Sequence, residues 1–211
     1  MLEKEKNEMF ANTIEKDAVT EIDINKSKFL GFSFFVENRE DAENKIKAHN
    51  EKYKDATHNV YAYRVVDESA EVYSDDGEPS GTSGPPILDI LRKRNYTNTL
   101  IIVTRYFGGI LLGTGGLVKA YSTSASITLE ESGVLKAGKG KEVEFEIPYD
   151  KYDKIKNALD KENIKIKDQT FEENVKVKIE FFETENIIPI LEEINEGSLN
   201  IISERNILVR K

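Results

Sequence analysis

The stretch from residue 98 to residue 122 constrains the fold most, because three kinds of local structure follow one another in it. It begins with the continuous apolar run NTLIIVT (98–104), which is typical of a strand covered on both faces. FGGILLGTGG (107–116) follows, and LVKAYSTSASITLEES (117–132) then favours a helix that ends at Gly133. This order predicts a buried strand, a glycine loop and a helix at the centre of a mixed α and β domain.

Patterns before the glycine loop predict further strands and helices around this centre. Two β-leaning runs meet at the turn-like Asn25-Lys26 and predict a hairpin over 18–36. Apolar residues spaced by three and four positions predict a helix over 40–53, with His49 on or beside its apolar stripe. The other elements expected here are strands at 59–66 and 71–74 and a helix at 87–95 that is entered through two prolines and capped by Ser83.

The last third of the chain alternates strand and helix patterns regularly. EVEFEI alternates charged and apolar residues, as a half-buried strand does. The whole order is β-α-β-β-α-β, which predicts a ferredoxin-like domain with both helices on one face of a small sheet. Residues 133–142 are short, polar and rich in Gly and Lys, so we interpret them as a linker between domains at 1–135 and 141–211.

Composition limits the classes of function. A net charge of −9 argues against broad nucleic-acid binding, although it is compatible with a local basic site. The absence of cysteine excludes a cysteine nucleophile and thiolate metal sites, and it fits a reducing compartment. The charged N-terminal stretch lacks the apolar run of a signal peptide, and no segment approaches the roughly 20 apolar residues of a membrane helix. We therefore expect a cytoplasmic protein that does not enter a membrane.

The glycine loop is a candidate anion site. It has five glycines in nine residues before a helix, where backbone amides and the helix dipole attract anions. It matches neither the Walker loop nor the dinucleotide GxGxxG pattern, and its glycines are also explained by tight packing and positive φ angles. The residues proposed for phosphate or nucleic-acid binding are Arg105, Tyr106, Gly108, Gly109, Gly113, Thr114, Gly115, Gly116 and Lys119.

The acidic stretch SDDGEPSGTSGPPIL (74–88) is a second candidate. Its carboxylates are oxygen ligands of the kind that magnesium prefers, and a magnesium ion shared with a phosphate on the glycine loop would form a nucleotide site. The alternative is ordinary turn chemistry with solvated carboxylates. The residues expected to form a groove wall are His58, Asp75, Asp76, Glu78, Ser80, Thr82 and Ser83, and the magnesium candidates among them are Asp75, Asp76 and Glu78.

Recognisable catalytic motifs are absent from the sequence. It contains two histidines, without an HExxH motif or a nucleophile elbow, so no catalytic residue is assigned and an enzyme is not favoured.

SDDGEPSGTSGPPIL (74–88) and VTRYFGGILLGTGGLVKAYS (103–122) together resemble the signature of the IMPACT family, in its bacterial YigZ branch. Ser27-Lys28-Phe29 and Ala56-Thr57-His58 also fit this resemblance. It implies an N-terminal domain with the ribosomal protein S5 domain 2-like fold and a C-terminal domain similar to one of elongation factor G, an α+β class overall. Eukaryotic members engage the translation-control machinery of amino-acid starvation through an additional N-terminal module, so that mechanism is not transferred to this chain.

Three hypotheses follow. The first is a translation-linked regulatory protein that binds RNA or a ribosomal assembly, with Arg105 and Lys119 on phosphate and Tyr106 or Phe107 on a base. The second is a magnesium-dependent enzyme that acts on a phosphorylated small molecule or nucleotide. The third is a protein-binding adaptor that uses residues 141–211. The identity of the ligand and the oligomeric state are not determined by the sequence.

Overall fold

The computed structural model describes residues 10–66 and 70–211, which form two compact units, one up to Lys136 and one over Ala137–Lys211. Most of the charged N-terminal stretch lies outside the described residues. The elements of the first unit are β1 (Ala11–Thr13), β2 (Ala18–Ile24), β3 (Ser27–Phe35), α1 (Arg39–Lys52), β4 (His58–Val65), β5 (Ala70–Ser74), α2 (Gly84–Lys93), β6 (Thr99–Tyr106) and α3 (Gly113–Glu131).

The first unit is built on an antiparallel sheet in the order β2-β3-β6-β4-β5. Helices α2 and α3 pack on one face and α1 packs on the other. The central strand β6 is therefore covered on both sides, and Leu100 and Val103 have no exposed surface. This confirms the prediction of a doubly buried strand and explains why its sequence is continuously apolar.

Two local features bring the β2–β3 hairpin close to the other elements. Asn25 and Lys26 have positive φ angles of 47° and 66°, which a two-residue hairpin turn requires, so the predicted hairpin is confirmed. Farther along β3, Gly31 lies directly under α3, and a Cβ atom there would be 2.0 Å from Thr128 Oγ1. The absence of a side chain thus lets α3 lie close to the sheet, where Thr20 and Thr128 share a 2.6 Å hydrogen bond.

The second unit confirms the predicted β-α-β-β-α-β order and, with the first unit, the α+β class. Its strands are ordered β10-β7-β9-β8, and α4 and α5 pack against one face of the sheet. The elements are β7 (Leu135–Ile147), α4 (Tyr149–Lys161), β8 (Ile166–Phe171), β9 (Val175–Phe182), α5 (Ile187–Asn195) and β10 (Asn200–Arg210).

The linker interpretation of residues 133–142 was wrong for most of that segment. Strand β7 begins at Leu135, and it pairs with β10 from Ala137 onward. The strand is stabilised by a partner more than 60 residues away in the sequence, and a local pattern of Gly and Lys does not reveal such a partner.

The face of the second sheet opposite the helices consists largely of paired charges. Its ion pairs are Arg205 with Glu142, Lys178 with Glu144 and Lys167 with Glu180. Across residues 10–66 and 70–211, no helix combines the length and the apolar character needed to cross a bilayer.

Candidate functional site

A buried cluster of charged and polar side chains joins the acidic stretch to β6 and α3. Glu78 Oε1 accepts a 2.6 Å hydrogen bond from Arg105 Nη1 and a 2.7 Å hydrogen bond from the Tyr121 hydroxyl. The side chains of Arg105 and Glu78 are only 6% and 3% exposed, and His58 Nε2 lies 3.8 Å from Glu78 Oε2. The two sequence motifs are therefore connected by a buried ion pair.

The surroundings of Arg105 compensate for much of its lost hydration. Its guanidinium lies 5.5 Å from the ring centre of Phe29 and 5.3 Å from that of Phe107, and Nη2 donates to Ser27 Oγ. Within the described part of the chain, its buried Nε has no hydrogen-bond partner. Burial, together with the hydrogen bond to Glu78, raises the pKa of Tyr121 far above its ordinary value, so the phenol keeps its proton and remains a donor.

This placement differs from the role that the sequence suggested for Arg105. A guanidinium that is buried and paired with Glu78 does not present its donors to solvent, so it is not placed to contact a phosphate directly. The reason is that Glu78 comes from another segment, and the sequence does not show that its carboxylate turns inward.

The first two residues of the glycine loop, Phe107 and Gly108, are held by side chains of two other segments. The Phe107 amide donates to Thr57 Oγ1 at 3.0 Å, and the Gly108 amide donates to Ser27 Oγ at 3.1 Å. A Cβ atom on Gly108 would lie 2.0 Å from the Lys26 carbonyl, so a residue with a side chain cannot occupy this position without backbone movement. The hairpin turn and the loop thus fix one another.

After Gly108 the loop is largely exposed, and it leads into α3. The helix begins at Gly113 without a side-chain cap, and its first turn contains no acidic residue. Across residues 10–66 and 70–211, no side chain therefore accepts a hydrogen bond from its first amides, which is the arrangement that favours an anion. Lys119 lies exposed one to two turns further on. The remaining predicted loop residues at this position are Gly109, Thr114, Gly115 and Gly116, which are exposed or half-buried.

Asp75 is used to begin helix α2. Its carboxylate accepts hydrogen bonds from the amides of Gly81, Ser83 and Gly84 and from the Ser83 hydroxyl. The expectation that Ser83 caps the helix was wrong, because its side chain donates to Asp75 and makes no capping bond. Burial opposes ionisation, but these hydrogen bonds together hold the pKa of Asp75 below its ordinary value.

Asp76 is bound to β4. Its side chain accepts a 2.5 Å hydrogen bond from the Asn59 amide, and its carbonyl lies 2.7 Å from His58 Nδ1. Because a carbonyl only accepts, His58 carries a proton on Nδ1 and turns Nε2 toward Glu78.

The three acidic residues thus each serve a different protein partner and do not converge on one cation. Across the described ranges, no group of three or more His, Asp or Glu residues is arranged to hold a metal ion. The magnesium site suggested for Asp75, Asp76 and Glu78 is therefore not formed by this arrangement.

The remaining predicted site residues are Ser80 and Thr82 in the acidic stretch and Tyr106 at the end of β6. Ser80 is exposed in the turn, and the Thr82 hydroxyl donates to the Pro79 carbonyl at 2.7 Å, which is ordinary turn chemistry. The Tyr106 hydroxyl donates a 3.2 Å hydrogen bond to Asp55 Oδ1. Phe107 is the aromatic residue that the loop exposes.

The sequence did not identify a second polar cluster, on the α1 face of the sheet. His49 Nε2 lies 2.7 Å from Thr104 Oγ1, and the Thr104 hydroxyl donates to Asn59 Oδ1. Burial, with a smaller contribution from Lys52, lowers the pKa of His49 to about 4, so this helix-face histidine is neutral near pH 7.

Tyr121 was also missed as a member of the buried ion-pair cluster. The sequence does contain a pattern that indicates its role. Tyr121 lies four residues after Leu117, on the buried side of α3, and a buried tyrosine hydroxyl usually needs a hydrogen-bond partner.

The fold and this site define a class of two-unit α+β proteins in which a glycine loop lies over a buried ion pair. The model of the Impact N-terminal domain matches residues 25–129, and that of a domain of unknown function, DUF1949, matches residues 145–185. The chain belongs to the IMPACT family.

Several relatives are similar over long stretches. The IMPACT family member YvyE of Bacillus subtilis is 39% identical over 149 residues, which are 70% of this chain and 68% of that protein. YigZ of Escherichia coli is 38% identical over 112 residues, which are 52% of this chain and 55% of that protein. The crystal structure of a hypothetical protein matches with a TM-score of 0.60 and 26% identity, over 92% of this chain and 97% of that one.

Proposed function

We propose that this protein is a translation-linked regulatory protein that binds RNA or a ribosomal assembly through the glycine-loop surface of its N-terminal unit. Membership of the IMPACT family supports the link to translation, because the family's eukaryotic members engage translation control. The local structure supports the site, since it combines donors, a positive charge and an exposed aromatic ring on one loop and helix.

The observation that carries the proposal is the uncapped start of α3. In the part of the chain that the structure describes, no side chain accepts a hydrogen bond from the amides of Gly113 to Gly116, and the exposed Lys119 adds positive charge to the same helix. A phosphate group of RNA would bind these amides and Lys119, while the 45% exposed ring of Phe107 would stack on a base.

In this proposal the buried cluster supports the loop rather than contacting the ligand. Arg105 lies against the ring of Phe107, and Ser27 holds both Arg105 and the Gly108 amide. The groove wall in this proposal is formed by His58, Asp75, Asp76, Glu78, Ser80, Thr82 and Ser83, among which Glu78 faces inward and Ser80 faces solvent. Arg105→Ala is therefore a poor test of RNA binding, because it would leave Glu78 buried without its cation.

The test is the binding of purified ribosomal subunits and of deproteinised ribosomal RNA by the Lys119→Ala variant. We expect weaker binding, and a salt dependence whose slope falls by about one unit, because one phosphate contact is lost. Lys93→Ala is the matched control, since Lys93 is an exposed lysine at the end of α2. Equal affinity and equal salt slopes for wild type and Lys119→Ala would remove this surface from consideration.

A further inference from the structure

Helix α1 is attached to the sheet by a narrow row of side chains. Its buried residues are Ala42, Ile46 and His49, so one of these contacts is made by an ionisable ring. His49 is 6% exposed, and its ring centre lies 4.6 Å from that of Phe32 and 4.5 Å from that of Tyr53. The attachment of α1 therefore depends in part on an imidazole, the side chain whose charge ordinarily changes near neutral pH.

Hydrogen bonds place the proton of this ring on one nitrogen. Asn59 Nδ2 donates to the Tyr53 carbonyl, which leaves Asn59 Oδ1 to accept the hydroxyl proton of Thr104 at 2.7 Å. Since that proton is used, Thr104 Oγ1 can only accept, and His49 Nε2, 2.7 Å away, donates to it. The neutral ring thus carries its proton on Nε2, and a second proton enters at Nδ1.

Within residues 10–66 and 70–211, the strands under His49 offer no carboxylate to balance a second proton. Strands β3, β4 and β6 contain neither aspartate nor glutamate. The ionisable side chains on the α1 face of these strands are Lys28, Tyr61, Tyr63 and Tyr106. Lys28 is a cation already paired with Glu21 of β2, and tyrosine is ordinarily neutral near pH 7.

The helix itself and the turn after it do not balance the charge either, across the ranges that the structure describes. On α1, the positions four before and three after His49 hold Lys45 and Lys52, which are cations. In the turn that follows, Asp55 accepts the Tyr106 hydroxyl. An imidazolium at this position would lose its hydration without gaining a counter-charge.

The rest of the first unit has packing that does not involve α1. Helices α2 and α3 form a core with the opposite face of the sheet, whereas α1 covers a separate cluster that includes Phe32, Leu100 and Ile102. The strands pair with one another in a single sheet. We propose that protonation of His49 releases α1 from the sheet and exposes this cluster, while the strands, α2 and α3 stay folded. This acid-sensitive switch does not depend on the proposed RNA-binding surface.

The direction of the pH dependence follows from proton linkage. Burial lowers the pKa of His49 from 6.5 to about 4 when α1 is attached, so released α1 binds the proton more tightly. The attachment is complete above pH 6.5 and weakens as the pH falls towards 4. Between pH 7 and pH 5, the equilibrium constant for release should rise about twentyfold.

Hydrogen–deuterium exchange of the full chain at pH 7 and pH 5, read by mass spectrometry of its peptides, tests the switch. After correction for the intrinsic pH dependence of exchange, peptides of α1 should exchange about twentyfold faster at pH 5, and peptides of α3 should keep their rate. His49→Gln offers an amide donor to Thr104 but does not titrate, so its α1 peptides should show no such rise. His58→Gln is the matched control, since it removes the other histidine, on the opposite face of the sheet, and should leave the rise unchanged.

Each other outcome overturns the switch. If the α1 peptides of wild type exchange equally fast at both pH values, α1 is not released by acid. If α1 and α3 accelerate together, acid unfolds the whole unit and the release is not local. If His49→Gln keeps the rise, or His58→Gln loses it, the proton does not act at His49. The comparison of α1 with α3 in wild type decides the matter even when a variant does not fold.

Discussion

Two of the arginine–glutamate ion pairs, Arg105–Glu78 of the first unit and Arg205–Glu142 of the second, differ in how far water reaches the arginine. Arg105 and Glu78 of the first unit are 6% and 3% exposed, with 2.6 Å between Nη1 and Oε1. In the second unit, Arg205 is 69% exposed and Glu142 is 13% exposed, and Arg205 Nε lies 2.8 Å from Glu142 Oε1. The two contacts are nearly equal in length, so geometry alone does not distinguish their roles.

Burial makes the difference. The Arg105–Glu78 pair has exchanged water for protein partners, and the loss of either member would leave an uncompensated charge in the interior. The Arg205 side chain remains in contact with water, which solvates its charge when the Glu142 carboxylate is neutralised. We conclude that the first pair fixes the structure under the glycine loop, whereas the second adds little to the stability of its sheet.

The largest effect is expected for Glu78→Ala. The variant leaves Arg105 and the Tyr121 hydroxyl buried without their acceptor, and the free energy of unfolding should fall by about 3 to 5 kcal/mol. Urea denaturation followed by circular dichroism measures this change.

A triple variant tests the cause of this loss. Glu78→Leu with Arg105→Met and Tyr121→Phe replaces the cluster by apolar side chains of similar size and should recover most of the lost stability. If Glu78→Ala lowers the free energy of unfolding by less than about 1 kcal/mol, the Arg105–Glu78 pair contributes no more than a surface pair does, and burial does not set its importance.

An intermediate effect is expected for Asp75→Asn, because Asp75 is half-buried and its donors are uncharged. Removing the charged acceptor at the start of α2 should cost about 1 to 2 kcal/mol at pH 7. The folded protein lowers the pKa of Asp75 below its ordinary 3.8, so this contribution is complete above that pH and is lost as the pH falls through the folded value. Urea titrations between pH 7 and pH 3 should show the gap to wild type narrowing below pH 3.8, and a constant gap would disprove the assignment.

The smallest effect is expected for Glu142→Gln. The hydrogen bond from Arg205 lowers the pKa of Glu142, but the arginine is solvated and its attraction is screened by salt. The midpoint of urea unfolding should stay within error of wild type at physiological salt. A loss as large as that of Asp75→Asn would show that exposure does not separate the two pairs.

Much of the fold was predictable from local pattern. The turn at Asn25 and Lys26, the buried strand β6 and the β-α-β-β-α-β order were all predicted, because each depends on residue periodicity or on a short turn signal. The start of β7 was not predicted, since its pairing partner β10 lies at the other end of the unit. The family was likewise indicated by two long motifs.

The candidate site was predictable in its parts but not in its arrangement. The sequence by itself identified the acidic stretch and the glycine loop, because glycine and carboxylate chemistry is visible in the residue types. The tertiary structure alone decided that Glu78 and Arg105 neutralise each other, that Asp75 begins a helix and that Leu111 points into solvent. The physical reason is that burial and pairing depend on contacts between distant segments, and residue type does not encode whether a charge meets water or an opposite charge.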